Sequence, residues 1–294
     1  MAERILIAGA TGTNGRALIE KLRDDSHVHL RALVRDPGSP AADFGGAVEV
    51  VMGDLAAPES LTAAFDGVDR AYVVTAIRPD ARLLFENFFA AASAAGVTQV
   101  VKFSGLGASP DSPSEIIRQH GDTDAMLRES GLPYTIIRPN SFHQNMLAQA
   151  AGIAATGTFY LPLGDAKQST IDVRDIAEIT ANVMTSDEHL GKSYDLTGAE
   201  SLDFHDVASI LSDVAERTIA YTPITAADAE AGFLQAGMSE WFSKALAEIQ
   251  ALFATGAYAE VLPDTEHLLG RRPISFRRFA EDHVDAWCGK TSAE

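Results

Sequence analysis

Short aliphatic, β-branched runs alternate along the first half of the chain with longer stretches whose apolar positions recur every three or four residues. The runs at 5–8, 28–34, 48–52, 71–75, 100–104 and 134–138 predict strands, and 14–24, 58–65, 80–95 and 114–130 between them predict helices. The breaks carry turn chemistry: Asp36-Pro37-Gly38, Asp66-Gly67, Ala95-Gly96 and Ser130-Gly131. Strand–helix alternation at this spacing implies βαβ units and a parallel, doubly wound α/β sheet. After Pro139 the pattern loosens. Residues 171–185 predict a helix, 193–197 a strand, and 203–216 a helix with Asp203 as its N-cap. Residues 225–256 read as almost continuous helix, interrupted near Gly232 and Gly237, and 276–287 as a terminal helix. The pattern favours a helical cap interleaved with the sheet over two separable domains.

Composition narrows the function. Of 294 residues, 46% are hydrophobic and 22% charged, which is globular usage. The net charge of −18 repels a phosphate backbone, so neither nucleic acid nor an anionic membrane is expected as a partner. The single cysteine, Cys288, has no partner for an internal disulfide and fits a cytoplasmic protein. A strand pattern begins at Arg4, leaving no room for a signal peptide. The uncharged stretch 139–164 is broken by Asn140, Gln144, Asn145 and Gln149, which makes it a poor membrane span and reads instead as buried wall material.

The strongest chemical signal is Gly9-Ala10-Thr11-Gly12-Thr13-Asn14-Gly15, which follows the first strand and opens a helix. In that context Gly9 permits a tight turn, Gly12 lets backbone approach a pyrophosphate, and Gly15 allows close helix–sheet packing. The helix start offers N–H groups and its positive dipole end to phosphate. The second strand leads into Arg35-Asp36. An arginine there suits a 2′-phosphate, so NADP(H) is preferred, with NAD(H) also allowed. Asp54, in Gly53-Asp54-Leu55, either meets the adenine with Leu55 or caps the helix that follows. By the rule that ligands sit beyond the carboxyl ends of the strands, Thr75, Ala76, Lys102 and Ser104 are expected to line the ribose and nicotinamide. Lys102 interrupts an apolar run, so it either serves the site or snorkels to the sheet edge.

These segments resemble the NmrA-like branch of the atypical short-chain dehydrogenase/reductase family. The resemblance continues through Lys102-Phe103-Ser104, Ser130-Gly131-Leu132-Pro133-Tyr134-Thr135, Ile137-Arg138-Pro139 and Ile171-Asp172-Val173-Arg174-Asp175-Ile176-Ala177, and on to Tyr194-Asp195-Leu196-Thr197-Gly198 and Ile274-Ser275-Phe276. It implies a Rossmann domain that binds NAD(P)(H), over 1–150 with 171–185 packing back on it, and a smaller, mostly helical substrate-binding domain over 151–294. It also implies that Pro139, Asn140, Ser141 and Phe142 pass near the nicotinamide. The family's Tyr-x-x-x-Lys pair does not appear: none of the six tyrosines has lysine four residues on. The pair works because positions i and i+4 share one helix face. By position, the family's lysine falls on His120 and its tyrosine on Ile116.

Other chemistries find less support. The eight histidines include no H-x-x-x-H pair, so no metal is expected, and Ser104 lacks a G-x-S-x-G elbow. His143 either touches substrate or is a histidine satisfied by hydrogen bonds. A strong dinucleotide site without a side-chain acid predicts hydride transfer to a planar conjugated small-molecule electron acceptor, such as a quinone, whose reduced anion water can protonate. The catalytic candidates are His120, Lys102 and Ser104. Phe142, Met146, Trp241 and Phe242 are candidate walls of the acceptor site, with core packing as the alternative for each. Two rival readings share the cofactor site: an NADP(H)-binding redox sensor without turnover, and a biosynthetic imine or enone reductase. A homodimer is compatible with either reading.

Overall fold

The computed structural model describes residues 2–289. In chain order the elements are β1 (Glu3–Ala8), α1 (Thr13–Leu22), β2 (Val28–Val34), β3 (Glu49–Met52), α2 (Leu61–Ala64), β4 (Arg70–Val73), α3 (Ala81–Ala95), β5 (Gln99–Phe103), α4 (Glu115–Glu129) and β6 (Tyr134–Pro139). They continue with α5 (Ala150–Thr156), β7 (Thr158–Leu161), α6 (Val173–Met184), β8 (Lys192–Leu196), α7 (Phe204–Ala215), β9 (Ala220–Pro223), α8 (Ala226–Gln235), α9 (Glu240–Phe253), α10 (Asp264–Leu269), α11 (Phe276–Asp282) and α12 (Val284–Trp287).

The main sheet has the order β3-β2-β1-β4-β5-β6-β8. Strands β1 to β6 run parallel, with Ala8 opposite Leu33 and Val73, and Val73 opposite Lys102. This is the order of a dinucleotide-binding sheet, whose direction of winding reverses between β1 and β4 and leaves a ligand crevice beyond their carboxyl ends. The central strands β4 and β5 have no exposed residue, as strands of a parallel sheet covered by helices must, whereas the edge strand β3 is largely exposed.

The chain divides into two compact units. The first comprises Met1–Asp111, Arg118–Arg138 and Ile176–Tyr194, and its core gathers Leu6, Phe65, Phe85, Phe88 and Ile136. The second comprises Ser112–Ile117, Pro139–Asp175 and Asp195–Glu294. Its core is aromatic, built on Phe159, Phe204, Phe276, Phe279 and Trp287, with the Trp287 indole N–H donating to the Ala280 carbonyl at 2.9 Å.

Three differences from the sequence expectation concern this second unit. Strands β7 and β9 form a separate two-stranded parallel sheet that the pattern did not reveal. Each has only four residues, and β7 lies inside the uncharged stretch. The helical run after Thr225 breaks once, around Gly237 at φ +82°, where Ser239 restarts the chain by capping α9. Gly232 stays inside α8. The expected terminal helix also breaks, at His283, between α11 and α12. Asp203 does cap α7, in a reciprocal capping box with Asp206. Among the described residues no helix is long and apolar enough to cross a membrane.

Candidate functional site

The glycine loop is shaped by contacts only glycine allows. Gly9 has φ +81°, and a Cβ there would lie 2.5 Å from the Val74 carbonyl oxygen. A Cβ on Gly15 would lie 2.3 Å from the Gly9 carbonyl oxygen, so α1 packs directly onto the turn that precedes it. Helix α1 opens on Gly12 with no side-chain cap, and Thr11, Gly12 and Thr13 are exposed. The first turn of a helix carries N–H groups it cannot satisfy internally, and here no N-cap side chain answers them. The Asn14 Oδ1 atom is buried and accepts no hydrogen bond. An orphaned buried acceptor costs about 1–3 kcal/mol. An open helix start beside an unsatisfied amide oxygen fits a dinucleotide, with phosphates on the N–H groups and a sugar hydroxyl on Asn14.

The remaining expected contacts lie at the same carboxyl edge. Arg35 and Asp36 are exposed after β2. Asp36 folds back to accept from the Gly38 N–H at 2.9 Å, while Arg35 forms no ion pair or hydrogen bond within the described residues. Arg16, one residue past the glycine loop, stacks over the Phe44 ring 5.1 Å from its centroid and donates to the Ala41 carbonyl, which ties down the loop after β2. Asp54 accepts from the Ala56 N–H at 2.9 Å, a local turn-capping role, and stays half-buried. Leu55 and Thr75 are half-buried and Ala76 is exposed. Two hollows in this unit, about 480 Å³ between α3 and α4 and about 400 Å³ beside α2 and α3, include none of these residues.

Behind that edge lies a buried ion cluster. Lys102 is fully buried, and its Nζ donates to Asp124 Oδ1 at 2.7 Å. The other oxygen of Asp124 accepts from Arg138 Nε at 2.8 Å. The Lys102 ammonium also sits 4.8 Å from the centroid of Phe85. Burial pushes the Lys102 ammonium pKa down, and Asp124 offsets part of that. Burial would raise Asp124, but the charge and hydrogen bond of Lys102, then Arg138, reverse this and hold its carboxyl below the usual range. Ser104 is buried beside the same carboxylate, outside hydrogen-bonding geometry. Lys102 and Ser104, both expected to line the nicotinamide, lie buried behind the strand edge, and Lys102 is paired with its counter-ion Asp124. Asp124, which sequence reasoning missed, lies one helical turn after His120 on α4. The signal was there: a lysine inside an apolar strand needs a carboxylate on the helix that covers it.

His120 occupies a different position. It is half-buried, and its ring forms no hydrogen bond within the described residues. Burial, reinforced by the Lys102 charge, pushes its pKa down to about 3, so the ring is neutral at pH 7. The ring lies over Gly105, where a Cβ would come within 3.0 Å of the imidazole Cδ2. The next residue, Gly121, packs against the backbone of the loop after β5: a Cβ there would lie 2.2 Å from the Ser109 carbonyl carbon. A glycine inside a helix costs about 1 kcal/mol relative to alanine, and here it permits that close approach.

The residues expected from Pro139 onward fall in the second unit. Pro139 is buried. Asn140 is 2% exposed and wholly engaged. Its amide donates to Ser169 Oγ and to the Tyr258 carbonyl, both at 3.0 Å, and its oxygen accepts from the Ser141 N–H at 2.7 Å. Expected to pass near the nicotinamide, it forms a buried junction between chain segments. Met146 is buried in the core of this unit. Phe142, Trp241 and Phe242 are half-buried. His143 resolves its two readings in favour of structure. Thr170 Oγ1 lies 2.9 Å from Nδ1, the Ile274 carbonyl lies 3.3 Å from Nε2, and Phe276 meets the ring edge-on at 5.3 Å between centroids. Among the described residues no cluster of His, Cys, Asp or Glu is arranged to hold a metal ion.

Comparison with known proteins agrees with this geometry. Residues 9–187 match the NAD(P)H-binding family. An NAD(P)H azoreductase from Xenophilus azovorans is 36% identical, over 96% of this chain and 99% of its own. The crystal structure of an NADPH-dependent quinone oxidoreductase from Escherichia coli in complex with NADPH superposes with a TM-score of 0.85 at 27% identity, covering 95% of this chain and 99% of that one. The triphenylmethane reductase of Citrobacter sp. in complex with NADP(H) superposes with a TM-score of 0.82 at 26% identity, over 95% and 99% of the two chains.

Proposed function

The chain belongs to the NAD(P)H-binding family, and from that premise we propose that it reduces a planar conjugated acceptor, a quinone being the best example, with NADPH as donor. That it is an NAD(P)H-binding oxidoreductase is the part shared with its relatives. The observation that carries the finer reading is the lack of an available acid. Lys102 and Asp124 are sealed together, Ser104 is buried, and His120 is uncharged at neutral pH. An acceptor whose reduced form is a delocalised anion needs no side-chain acid, because water protonates it. The names of the relatives, an azoreductase and a quinone oxidoreductase, point to conjugated acceptors of the same kind.

NADPH, when bound, supplies the hydride, and the chain supplies placement. The N–H groups at the start of α1 hold the pyrophosphate, with Gly9, Gly12 and Gly15 keeping the backbone close enough. Arg35, exposed and without an ionic partner, meets the 2′-phosphate and sets the preference for NADPH over NADH. His120, a neutral imidazole with a free hydrogen-bonding edge, orients a water molecule or the nicotinamide ribose. Phe142, Trp241 and Phe242 supply apolar surface for the acceptor ring.

The test is reduced-nicotinamide consumption followed by absorbance, with NADPH and NADH in parallel against a series of small quinones and one cationic dye. Saturable turnover with at least tenfold preference for NADPH is expected. Tight NADPH binding with no turnover on any acceptor would overturn the reading and leave a cofactor-sensing role.

A further inference from the structure

The segment between β2 and β3 is open at its start and tied at its end, and α1 makes the tie. Arg35, Asp36, Pro37 and Gly38 are exposed. From Asp36 two turns follow in series. The Asp36 carbonyl accepts the Ser39 N–H at 3.2 Å, and the Ser39 carbonyl accepts the Ala42 N–H at 2.8 Å. The Arg16 guanidinium closes the series: it donates to the Ala41 carbonyl inside the second turn and lies 5.1 Å from the centroid of the Phe44 ring. Ala42 and Phe44 are buried, so this half of the segment is packed. Just beyond, Gly45 at φ +72° lies against the residue that ends α1: a Cβ there would come within 3.2 Å of Arg23 Nη2.

Arg16 is an unusual choice for its place. It is the fourth residue of α1, and a cation near a helix start opposes the dipole. The first turn of α1 has no acid to offset it, and Arg16 finds its partners instead in the Phe44 ring and the Ala41 carbonyl. Resting on the NADPH reading above, we propose that Arg16 and Phe44 form a clasp that sets cofactor specificity. Arg16 is its positioning residue: by gripping Ala41 it fixes the two turns that lead back to Arg35, so the 2′-phosphate meets an ordered segment. Ordering that segment before the cofactor arrives removes an entropy cost from NADPH binding. NADH has no 2′-phosphate, and its binding at the glycine loop does not draw on the clasp. Every residue involved belongs to the first unit.

The experiment compares full-length Arg16→Lys, Phe44→Leu and the double variant with the unaltered protein. Arg16→Lys keeps the charge and the helix propensity but loses the planar face that stacks, and Phe44→Leu keeps an apolar side chain without the ring. Each protein is titrated with NADPH and with NADH, and exchange of the Ala42 amide is followed without cofactor. Each single variant is expected to raise the NADPH Kd about tenfold, to hold the NADH Kd within about twofold, and to speed Ala42 exchange about fivefold. The double variant is expected to lose no more than either alone, because both act through one contact. An unchanged NADPH Kd in either single variant would overturn the proposal. In Phe44→Leu that result would leave Arg16 as a direct phosphate contact instead. Equal losses for NADPH and NADH would also overturn it, by showing that α1 itself had been disturbed, as would unchanged Ala42 exchange. An unaltered protein that binds NADPH no more tightly than NADH would bring down the 2′-phosphate reading and the specificity role with it. Faster Ala42 exchange in the variants would still show the clasp, so the two failures are told apart.

Discussion

Two histidines sit in two differently built regions, and both are kept uncharged. In the second unit His143 is 2% exposed, bonded at both ring nitrogens and enclosed by Phe276 and Phe279. The Ile274 carbonyl can only accept, so Nε2 carries the proton and Thr170 donates to Nδ1. In the first unit His120 is neutral because of burial and the nearby Lys102, yet its ring is hydrogen-bonded to none of the described residues. A strongly depressed pKa is thus common to a structural histidine and to an available one. What separates them is hydrogen-bond satisfaction: a group with both valences filled has no capacity left for a ligand.

The sharpest way to break this contrast is to disturb the ion cluster behind His120. Asp124→Asn leaves Lys102 and Arg138 facing an uncharged amide in a buried setting. It is expected to cost about 3–5 kcal/mol in denaturant unfolding, the usual penalty for orphaning a buried charge. Lys102→Met keeps Asp124 with Arg138 and is expected to cost less, about 1–3 kcal/mol. Equal costs for the two would mean that Asp124 is not the shared counter-ion.

His143 gives the next largest effect. Its folded-state pKa, lowered by burial to about 4, lies below its ordinary value near 6.5. The unfolded chain therefore takes up the proton first, and stability is lost as pH falls from about 6.5 toward 4. At about 1.4 kcal/mol per unit, the loss between pH 7 and pH 5 is about 2 kcal/mol. Chemical denaturation at the two pH values checks this, with His143→Gln removing that part of the slope whatever its own cost. An unchanged slope would mean that the ring is not held neutral.

The same contrast separates what was legible in the sequence from what was not. The glycine loop was legible because its glycines stand at fixed local spacing between a strand and a helix, and Gly15 is required by a clash with Gly9 and Ala10 in the same segment, although the clash at Gly9 is with the distant Val74. The parallel, doubly wound sheet followed from the alternation of strand and helix patterns, which is also a local signal. The fates of Lys102, Asn140 and Met146 depend on partners far along the chain: Asp124 for the lysine, and Ser169 and Tyr258 for the asparagine. Position at a strand end names the neighbourhood of a residue, not the direction of its side chain. Strands β7 and β9 were missed because four-residue strands carry too little periodicity.

His120 itself supplies a third test. His120→Ala is expected to lower kcat about tenfold, or about 1.4 kcal/mol, with the NADPH Kd within twofold. Because the ring stays neutral well below pH 5, its removal should leave the shape of the kcat–pH profile between 5 and 8 unchanged. A basic or acidic limb that disappears with His120 would show that it titrates during turnover, and the contrast with His143 would have to be redrawn.

The smallest effect probes the contact that sets the ring. A methyl group on Gly105 would lie 3.0 Å from the His120 Cδ2, a distance the ring can relieve by moving a few tenths of an ångström. The neighbour that gives way is a side chain with no hydrogen bond to lose, so the fold should absorb the change with less than about 1 kcal/mol of stability lost. Catalysis should be more sensitive, because a positioned group loses effectiveness with sub-ångström displacement. Gly105→Ala is accordingly expected to reduce kcat about threefold while leaving the melting temperature and NADPH affinity nearly unchanged. In the His120→Ala background the same substitution should do nothing further, since the two changes act through one ring. A full threefold loss in both backgrounds would place the effect of Gly105 in the loop backbone rather than in His120.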